Sequence, residues 1–269
     1  MKLSRSCHAV LGLAAVPPWT VNAGIVAGAA RTIIVDTGSS AAAALTLLGY
    51  AEAIHPGNAL LAVVTEPHLD HVLGIATLRE RGVQVYGHAG VTRRPEELEA
   101  EIAACAGCVT DPVRRARGEA RLLFSGARVE NPDRSVTGDA ELDLGGLAVR
   151  LLITPGHTLA SLSIHVPDEG VLYTGDCVVE GYLPNLEAGG PAQWGSWLGS
   201  LDRIAALAPA VLVPGHGAVV EGPAVLPTVD AVRRVLEEAL RTGRAPTGAG
   251  VRTPGRARAG RGRARSRRG

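Results

Sequence analysis

The chain has 269 residues, of which 46% are hydrophobic and 20% are charged. This composition excludes a collagen, a coiled coil and a wholly disordered chain, and the length allows a substantial buried core. Aromatic residues make up only 3%, so Ala, Val, Leu and Ile must build that core, while 34 Gly and 17 Pro indicate many tight turns.

The net charge of +1 conceals two unlike parts of the chain. Residues 241–269 contain ten Arg and no Asp, Glu or Lys, which leaves 17 Lys and Arg against all 26 Asp and Glu in residues 1–240. The Arg/Gly-rich tail has no apolar periodicity, so we expect it to be disordered beside a folded domain at 1–240. Arg can bind nucleic-acid phosphates, but this tail lacks aromatic residues and follows an acidic domain, so we expect no dedicated nucleic-acid partner.

The start of the chain allows two interpretations. Lys2 and Arg5 precede an apolar run from Ala9 to Val16, which resembles a short signal peptide and would imply export. The alternative is a first β-strand in this run, followed by a second over Trp19–Val26. No run of 18 apolar residues exists, so the sequence predicts no membrane-spanning helix. Four Cys make no disulfide framework in a chain of this length, which favours a cytoplasmic protein.

The first half alternates strand-like and helix-like segments. β-Branched and apolar runs predict strands at Arg31–Val35, Leu60–Thr65 and Val83–Tyr86. Helical patterns lie between and after them, at Ser40–Ala53 behind an N-cap at Ser39, Asp70–Arg81, Pro95–Ala106 and Asp111–Phe124.

The second half begins with two hairpin patterns. The predicted strands are Glu141–Leu144, Leu147–Thr154, Leu162–Val166 and Val171–Thr174, followed by a helix at Trp194–Leu207, a strand at Ala210–Val213 and a helix at Val229–Leu240. Two mixed halves, near 1–130 and 131–240, would therefore pack sheet on sheet with helices outside.

Potential metal ligands stand in four places where predicted strands end. These are Glu66-Pro67-His68-Leu69-Asp70-His71, His157 within Pro-Gly-His-Thr, Asp176 within Thr-Gly-Asp-Cys, and His216 within Pro-Gly-His-Gly. Functional sites of α/β folds gather beyond the carboxyl ends of strands, so these loops can converge. Imidazoles and carboxylates suit zinc, iron or manganese.

In this order, Asp36-Thr37-Gly38 and the four loops resemble the metallo-β-lactamase-fold metallohydrolases. The resemblance covers roughly residues 9–240 and implies an α/β fold, the αββα four-layer sandwich, with a dinuclear metal site at one edge. It also implies that His68, His157 and the first residue of the opening motif hold one ion. Asp70, His71 and His216 would hold the second, and Asp176 would bridge both.

Glu66 departs from the family pattern, because the family usually has His at this position. A carboxylate can still ligate zinc, but it is a harder ligand and shifts the preference toward manganese or iron. Alternatively, Glu66 lies outside the ligand shell or is solvated, and the protein binds a single ion at the second site.

The resemblance implies hydrolysis by a metal-bound hydroxide, with Asp70 orienting it as the catalytic residue. We expect two zinc ions and a small ester, thioester, lactone or amide substrate. The alternative is a non-haem iron oxidoreductase of dioxygenase type, with iron held by Glu66, His157 and Asp176. Tyr182, Asn185 and Trp194 follow Asp176 and are candidates for substrate binding, although the helical spacing of Trp194 and Trp197 also suits core packing. The sequence does not indicate an oligomeric state.

Overall fold

Two six-stranded sheets form the centre of the molecule. The computed structural model describes residues 1–13, 20–108, 111–118, 121, 124, 126–186 and 189–245. Each sheet mixes parallel and antiparallel pairs, as the sequence pattern predicted.

The first sheet has its strands in chain order. They are β1 (Cys7–Val10), β2 (Ala23–Ala27), β3 (Arg31–Val35), β4 (Ala59–Val63), β5 (Gln84–His88) and β6 (Arg134–Val136). The pairs β1–β2 and β2–β3 are antiparallel, whereas β3, β4, β5 and β6 run parallel. Parallel neighbours need crossover connections, and helices supply them here.

The second sheet is mainly antiparallel. Its strands are β7 (Ala140–Asp143), β8 (Ala148–Ile153), β9 (Leu162–Val166), β10 (Val171–Gly175), β11 (Val211–Pro214) and β12 (Val220–Glu221). The pair β10–β11 is parallel, so the carboxyl ends of both strands lie at the same edge of the sheet. Both predicted hairpins, β7–β8 and β9–β10, are confirmed.

Helices cover the outer face of each sheet. They are α1 (Ala41–Ile54), α2 (Leu69–Val72), α3 (Ile75–Glu80), α4 (Pro95–Cys108), α5 (Pro112–Ala116), α6 (Pro191–Ala206) and α7 (Val225–Thr242). Helix α1 packs on α3 and on strands β2 and β3, while α6 packs along α7.

Three buried apolar clusters separate the four layers. One lies between the first sheet and its helices and includes Ile34 and Leu47. A second fills the space between the sheets with residues such as Ile33 and Ile164. The third joins the second sheet to α6 and α7 and contains Trp197. Because one apolar cluster lies between each pair of neighbouring layers of helices or strands, the fold is the αββα sandwich that the resemblance implied.

Several predicted boundaries differ from the structure. Ser40, not Ser39, caps α1, because its hydroxyl accepts a hydrogen bond from the backbone N–H of Ala43 at 3.2 Å. The helix predicted at 70–81 is broken into α2 and α3 at Gly74, where an added Cβ would lie 2.2 Å from the Thr37 carbonyl oxygen. The first strand is shorter and earlier than the predicted 9–16 run.

Parts of several predictions lie outside the described residues, among them residues 14–16 and 19 of the two strands expected near the start of the chain. Of the helix predicted at 111–124, the described residues show α5 and a helical Arg121, whereas residues 119–120 and 122–123 are not described. Only residues 241–245 of the Arg-rich tail are described, so the division into a domain at 1–240 and a tail stays a prediction. Among the described helices, none combines the length and apolar character that crossing a bilayer requires.

Candidate metal centre

The four loops with potential ligands meet at one edge of the sandwich. The first loop follows β4, the second follows β8, the third follows β10 and the fourth follows β11. Their side chains form two adjacent groups in which the ligand atoms lie within 4.8 Å of one another. The structure therefore brings together all seven predicted ligands, Glu66, His68, Asp70, His71, His157, Asp176 and His216.

The first group, here called the Glu66 cluster, consists of Glu66, His68, His157 and Asp176. The Oε2 atom of Glu66 lies 2.5 Å from Nδ1 of His68 and 3.2 Å from Nε2 of His157. The same His157 nitrogen is 3.6 Å from Oδ2 of Asp176. Glu66 is 1% exposed, so the solvated alternative for this carboxylate is wrong.

The second group, the Asp70 cluster, consists of Asp70, His71 and His216. Nε2 of His216 lies 3.4 Å from Oδ2 of Asp70 and 3.1 Å from Oδ2 of Asp176. Nε2 of His71 lies 3.5 Å from the other Asp176 oxygen, Oδ1. Asp176 thus contacts both clusters and stands between them.

A buried carboxylate fixes the ring of His71. Asp36 follows β3 and lies 2.9 Å from Nδ1 of His71, while its Oδ1 accepts the backbone N–H of Thr65 at 2.7 Å. Asp36 adopts a left-handed backbone with φ of 61°, a conformation that Asp tolerates better than most residues. A proton on Nδ1 bonded to Asp36 leaves the lone pair of Nε2 directed at the Asp70 cluster.

The ring of His216 is held in the same way, but by backbone. Its Nδ1 lies 2.6 Å from the carbonyl oxygen of Thr20, so it donates there and keeps Nε2 free for the cluster. Asn22 donates to the carbonyl oxygens of Pro214 and Gly217 at 2.9 Å each and so fixes the loop that carries His216.

Two glycines let the loops approach each other. A Cβ on Gly175 would lie 2.4 Å from the Thr65 hydroxyl oxygen, and the φ of Gly175 is 51°. A Cβ on Gly215 would lie 1.8 Å from Oδ1 of Asp176. Any larger residue at either position would displace the backbone next to the Asp176 carboxylate.

Opposite charges dominate the electrostatics of the site. Burial alone lowers the pKa of His71, but the surrounding carboxylates, beginning with Asp36 and Asp70, raise it well above its usual value. Burial likewise opposes ionisation of Asp176, yet His216 and His71 hold the pKa of its carboxyl well below the usual range. Imidazoles and ionised carboxylates therefore balance one another within the site.

Some buried ligand atoms have no hydrogen-bond partner within the described ranges. They are Nε2 of His71, Nδ1 of His157 and Oδ1 of Asp176. Buried polar atoms without partners are rare and costly, and two of these three face the space between the clusters. A set of carboxylates and imidazoles with such atoms fits divalent metal ions, which would satisfy them.

The predicted substrate-binding residues occupy different environments. The ring of Tyr182 lies edge-on to His216, with centroids 6.2 Å apart, so Tyr182 borders the site. Asn185 is exposed on the same connection. Trp194 is buried and its indole N–H donates to the Leu186 carbonyl at 3.3 Å, which suits the core-packing alternative. The assignment of all three to substrate binding stays a prediction.

Cys177, directly after Asp176, is a core residue. It is fully buried, and burial raises the pKa of its thiol to about 12. The thiol is therefore neutral at physiological pH and is a poor metal ligand.

The sequence analysis missed the residues that support the site from helix α6. Gln193 donates from Nε2 to the carbonyl oxygens of Gly156 at 2.8 Å and His157 at 3.1 Å. Ser200 donates to the Pro155 carbonyl at 2.6 Å. Gln and Ser are ordinary helix residues, so the sequence carried no signal for these contacts across the fold.

Comparison with known proteins places this chain in one family. Residues 16–216 match the model of the metallo-beta-lactamase superfamily. Hydroxyacylglutathione hydrolase from Brucella ovis is 30% identical over 144 residues, which cover 53% of this chain and 42% of that protein. The protein of the same name from Brucella abortus matches equally. The chain therefore aligns with less than half the length of these curated relatives.

Solved structures share the fold at lower identity. A metallo-beta-lactamase family protein from Thermus thermophilus is similar with a TM-score of 0.65 and 23% identity, over 90% of this chain and 82% of that one. A metallo-beta-lactamase from Pontibacter korlensis gives a TM-score of 0.61 and 18% identity, over 88% and 97% of the two chains. The match over residues 16–216 and the shared fold show that this chain belongs to the metallo-beta-lactamase superfamily.

Proposed function

We propose that this protein is a metal-dependent hydrolase of small thioesters or esters, with zinc in both clusters. The observation that carries the proposal is the position of Asp176, whose two carboxylate oxygens face imidazoles of both clusters. A carboxylate so placed can serve two ions at once. The similarity to hydroxyacylglutathione hydrolases, whose name denotes a thioester substrate, favours thioesters over lactones and amides.

The chain's own residues would orient both the ligands and the reacting groups. Metal ions bound here would polarise the substrate carbonyl and lower the pKa of a water molecule. Because Nδ1 of His71 contacts Asp36 and Nδ1 of His216 contacts the Thr20 carbonyl, Nε2 of each ring would be the atom that loses its proton and ligates when a metal ion binds. Asp70, whose side chain is 14% exposed, can accept a hydrogen bond from the attacking water and fix its direction.

Glu66 gives the first cluster a carboxylate where the resemblance implies a histidine. The Asp70 cluster presents Asp70 and the shared Asp176 as anionic ligands, and the Glu66 cluster, with Glu66 in place of a histidine, likewise presents two, Glu66 and Asp176. Hard oxygen ligands favour manganese or iron relative to zinc, so we propose that this cluster also accepts those metals. A small-molecule substrate and a cytoplasmic location remain predictions.

The decisive experiment combines metal analysis with a substrate panel on the purified full chain. We expect one to two equivalents of metal per chain and turnover of acyl-glutathione thioesters or simple aryl esters. Asp70→Asn should reduce kcat by at least about 100-fold, as expected for loss of a positioned acid–base group, while the circular dichroism spectrum stays that of the wild type. Asp168→Asn, at an exposed turn, is the matched control.

Two results would contradict the proposal. Full turnover by Asp70→Asn would remove Asp70 from the mechanism. Iron as the bound metal, together with oxygen consumption and no hydrolysis, would favour the oxidoreductase alternative instead.

A further inference from the structure

Three imidazoles of the site, those of His71, His216 and His157, are not supported equally. Each histidine of the Asp70 cluster has a hydrogen-bond partner on the ring nitrogen that faces away from the cluster, namely Asp36 for His71 and the Thr20 carbonyl for His216. His157 presents Nε2 to the Glu66 cluster, while its Nδ1 is buried without a hydrogen-bond partner in the described part of the chain. Ligation through Nε2 requires the proton on Nδ1, where no residue that the structure describes accepts it.

An aromatic contact takes the place of the missing hydrogen bond. The indole ring of Trp197 lies edge-to-face against the His157 ring, with centroids 5.4 Å apart and an interplanar angle of 67°. The backbone of Gly156 also packs on this residue, because an added Cβ there would lie 2.4 Å from Cβ of Trp197. Edge-to-face contacts of this kind favour one relative orientation of two rings.

Trp197 is itself held firmly in place. It is 1% exposed, and its indole N–H donates to the carbonyl oxygen of Cys177 at 2.9 Å. Cys177 directly follows Asp176, so one side chain joins the loop of His157 to the loop of Asp176. Gln193, one turn earlier on α6, fixes the backbone of the same His157 loop through two carbonyl oxygens.

We propose that Trp197 is the positioning residue for His157 and that the Glu66 cluster, in which aromatic packing and not a hydrogen bond at Nδ1 orients the His157 ring, is the weaker of two unequal metal sites. This inference rests on the proposed function, since it requires metal in both clusters. Partners that orient a ligating histidine typically change metal affinity about 10–100-fold, so the two sites should differ by at least that order.

The test is a zinc titration of the full chain after the native metal has been stripped with a chelator. We expect two binding phases by calorimetry and by competition with a chromophoric chelator. His157→Ala should abolish only the weaker phase, and His216→Ala should abolish the tighter one. Because Trp197 contacts His157, its fluorescence should change during the weaker phase.

Conservative variants separate positioning from folding. Trp197→Phe keeps an aromatic ring but loses the bond to Cys177, and we expect it to weaken the weaker phase about tenfold, in line with other changes behind a ligating histidine, without altering the tighter phase. Trp194→Phe removes a second buried indole from the same helix and should change neither phase. Gln193→Ala should also weaken only the weaker phase, whereas Ser196→Ala, on an exposed position of α6, should not.

The outcomes distinguish this inference from the proposed function. Two equal phases, or a Trp197→Phe variant that weakens both phases alike or neither, would overturn the inference and leave the hydrolase proposal intact. A wild-type chain that binds no zinc, manganese or iron would overturn both.

Discussion

Gly215 and Asp176 approach each other so closely that a Cβ on Gly215 would lie 1.8 Å from the carboxylate Oδ1 of Asp176. The backbone N–H of Gly215 also donates to the Gly175 carbonyl at 2.8 Å, which holds the two loops together. Asp176 can therefore lie between the clusters only because residue 215 is a glycine.

Gly215→Ala should displace Asp176 and lower metal content. We expect a loss of stability of about 1–3 kcal/mol from overpacking and a bound metal content below one equivalent. Thermal unfolding and elemental analysis measure the two effects. Gly138→Ala is the control, because a Cβ there meets nothing within 4 Å. Unchanged metal content in Gly215→Ala would contradict the bridging position of Asp176.

Asp36→Asn should impair the Asp70 cluster by changing the tautomer of His71. The backbone N–H of Thr65 needs an acceptor at Oδ1, so the amide nitrogen of the substituted side chain would face Nδ1 of His71 and donate to it. The proton of His71 then moves to Nε2, which can no longer bind metal. We expect metal affinity to fall about 10–100-fold.

The control for this variant is Asp133→Asn. Asp133 also accepts a backbone N–H, that of Val85 at 2.9 Å, but it belongs to neither metal cluster. Metal titration of both variants is the measurement. Wild-type affinity in Asp36→Asn would show that His71 does not ligate through Nε2.

Glu66→Gln tests whether Glu66 is a metal ligand. The variant keeps the shape of the side chain and an acceptor for the backbone N–H of Asp176, which lies 3.1 Å from Oε1. It removes one negative charge from the Glu66 cluster, so we expect the number of metal ions bound per chain to fall from two toward one. Manganese should be lost more completely than zinc. Retention of two ions, measured by elemental analysis beside Glu141→Gln as a surface control, would exclude Glu66 as a ligand.

Glu169 should make the free energy of unfolding depend on pH in the acidic range. Its Oε2 accepts the backbone N–H of Ser6 at 2.9 Å and the hydroxyl of Ser4, and Arg5 lies 3.7 Å from Oε1. These contacts join the segment before β1 to the β9–β10 connection. Burial opposes ionisation, but the hydrogen bonds of Ser4 and Ser6 lower the pKa of Glu169 below its usual 4.5.

A lowered pKa means that this stabilisation is complete above about pH 4.5 and is lost as the pH falls through the folded value. Glu169→Gln should cost about 1–3 kcal/mol at pH 7, since it weakens hydrogen bonds to a charged acceptor. The difference in free energy of unfolding between the wild type and Glu169→Gln should become smaller at acidic pH. Chemical denaturation at pH 7 and pH 3.5 measures this difference in stability. The control is Asp168→Asn, at the exposed neighbouring residue. A stability difference for Glu169→Gln that is the same at both pH values would contradict this account.

The sequence by itself predicted the fold class and the candidate ligands that the structure brings together. Strand and helix periodicities, the Gly-Gly hairpin and the Pro-Gly-His loops are local patterns, and local patterns set where each element begins and what its end presents. The four loop motifs, with the ligand set that their resemblance to the family implies, were therefore sufficient to predict which seven side chains meet. Helix breaks were less visible: the predicted helix at 70–81 divides near Gly74, whose backbone lies too close to the Thr37 carbonyl for any Cβ to fit.

Only the tertiary structure decided how each ligand is held. Asp36 is 35 residues from His71, Thr20 is 196 residues from His216, and Trp197 lies on a helix that packs beneath the His157 loop. Buried contacts of this kind depend on which surfaces meet after the sheets stack. No residue spacing encodes them, so the unequal support of the two clusters emerges only when the layers are assembled.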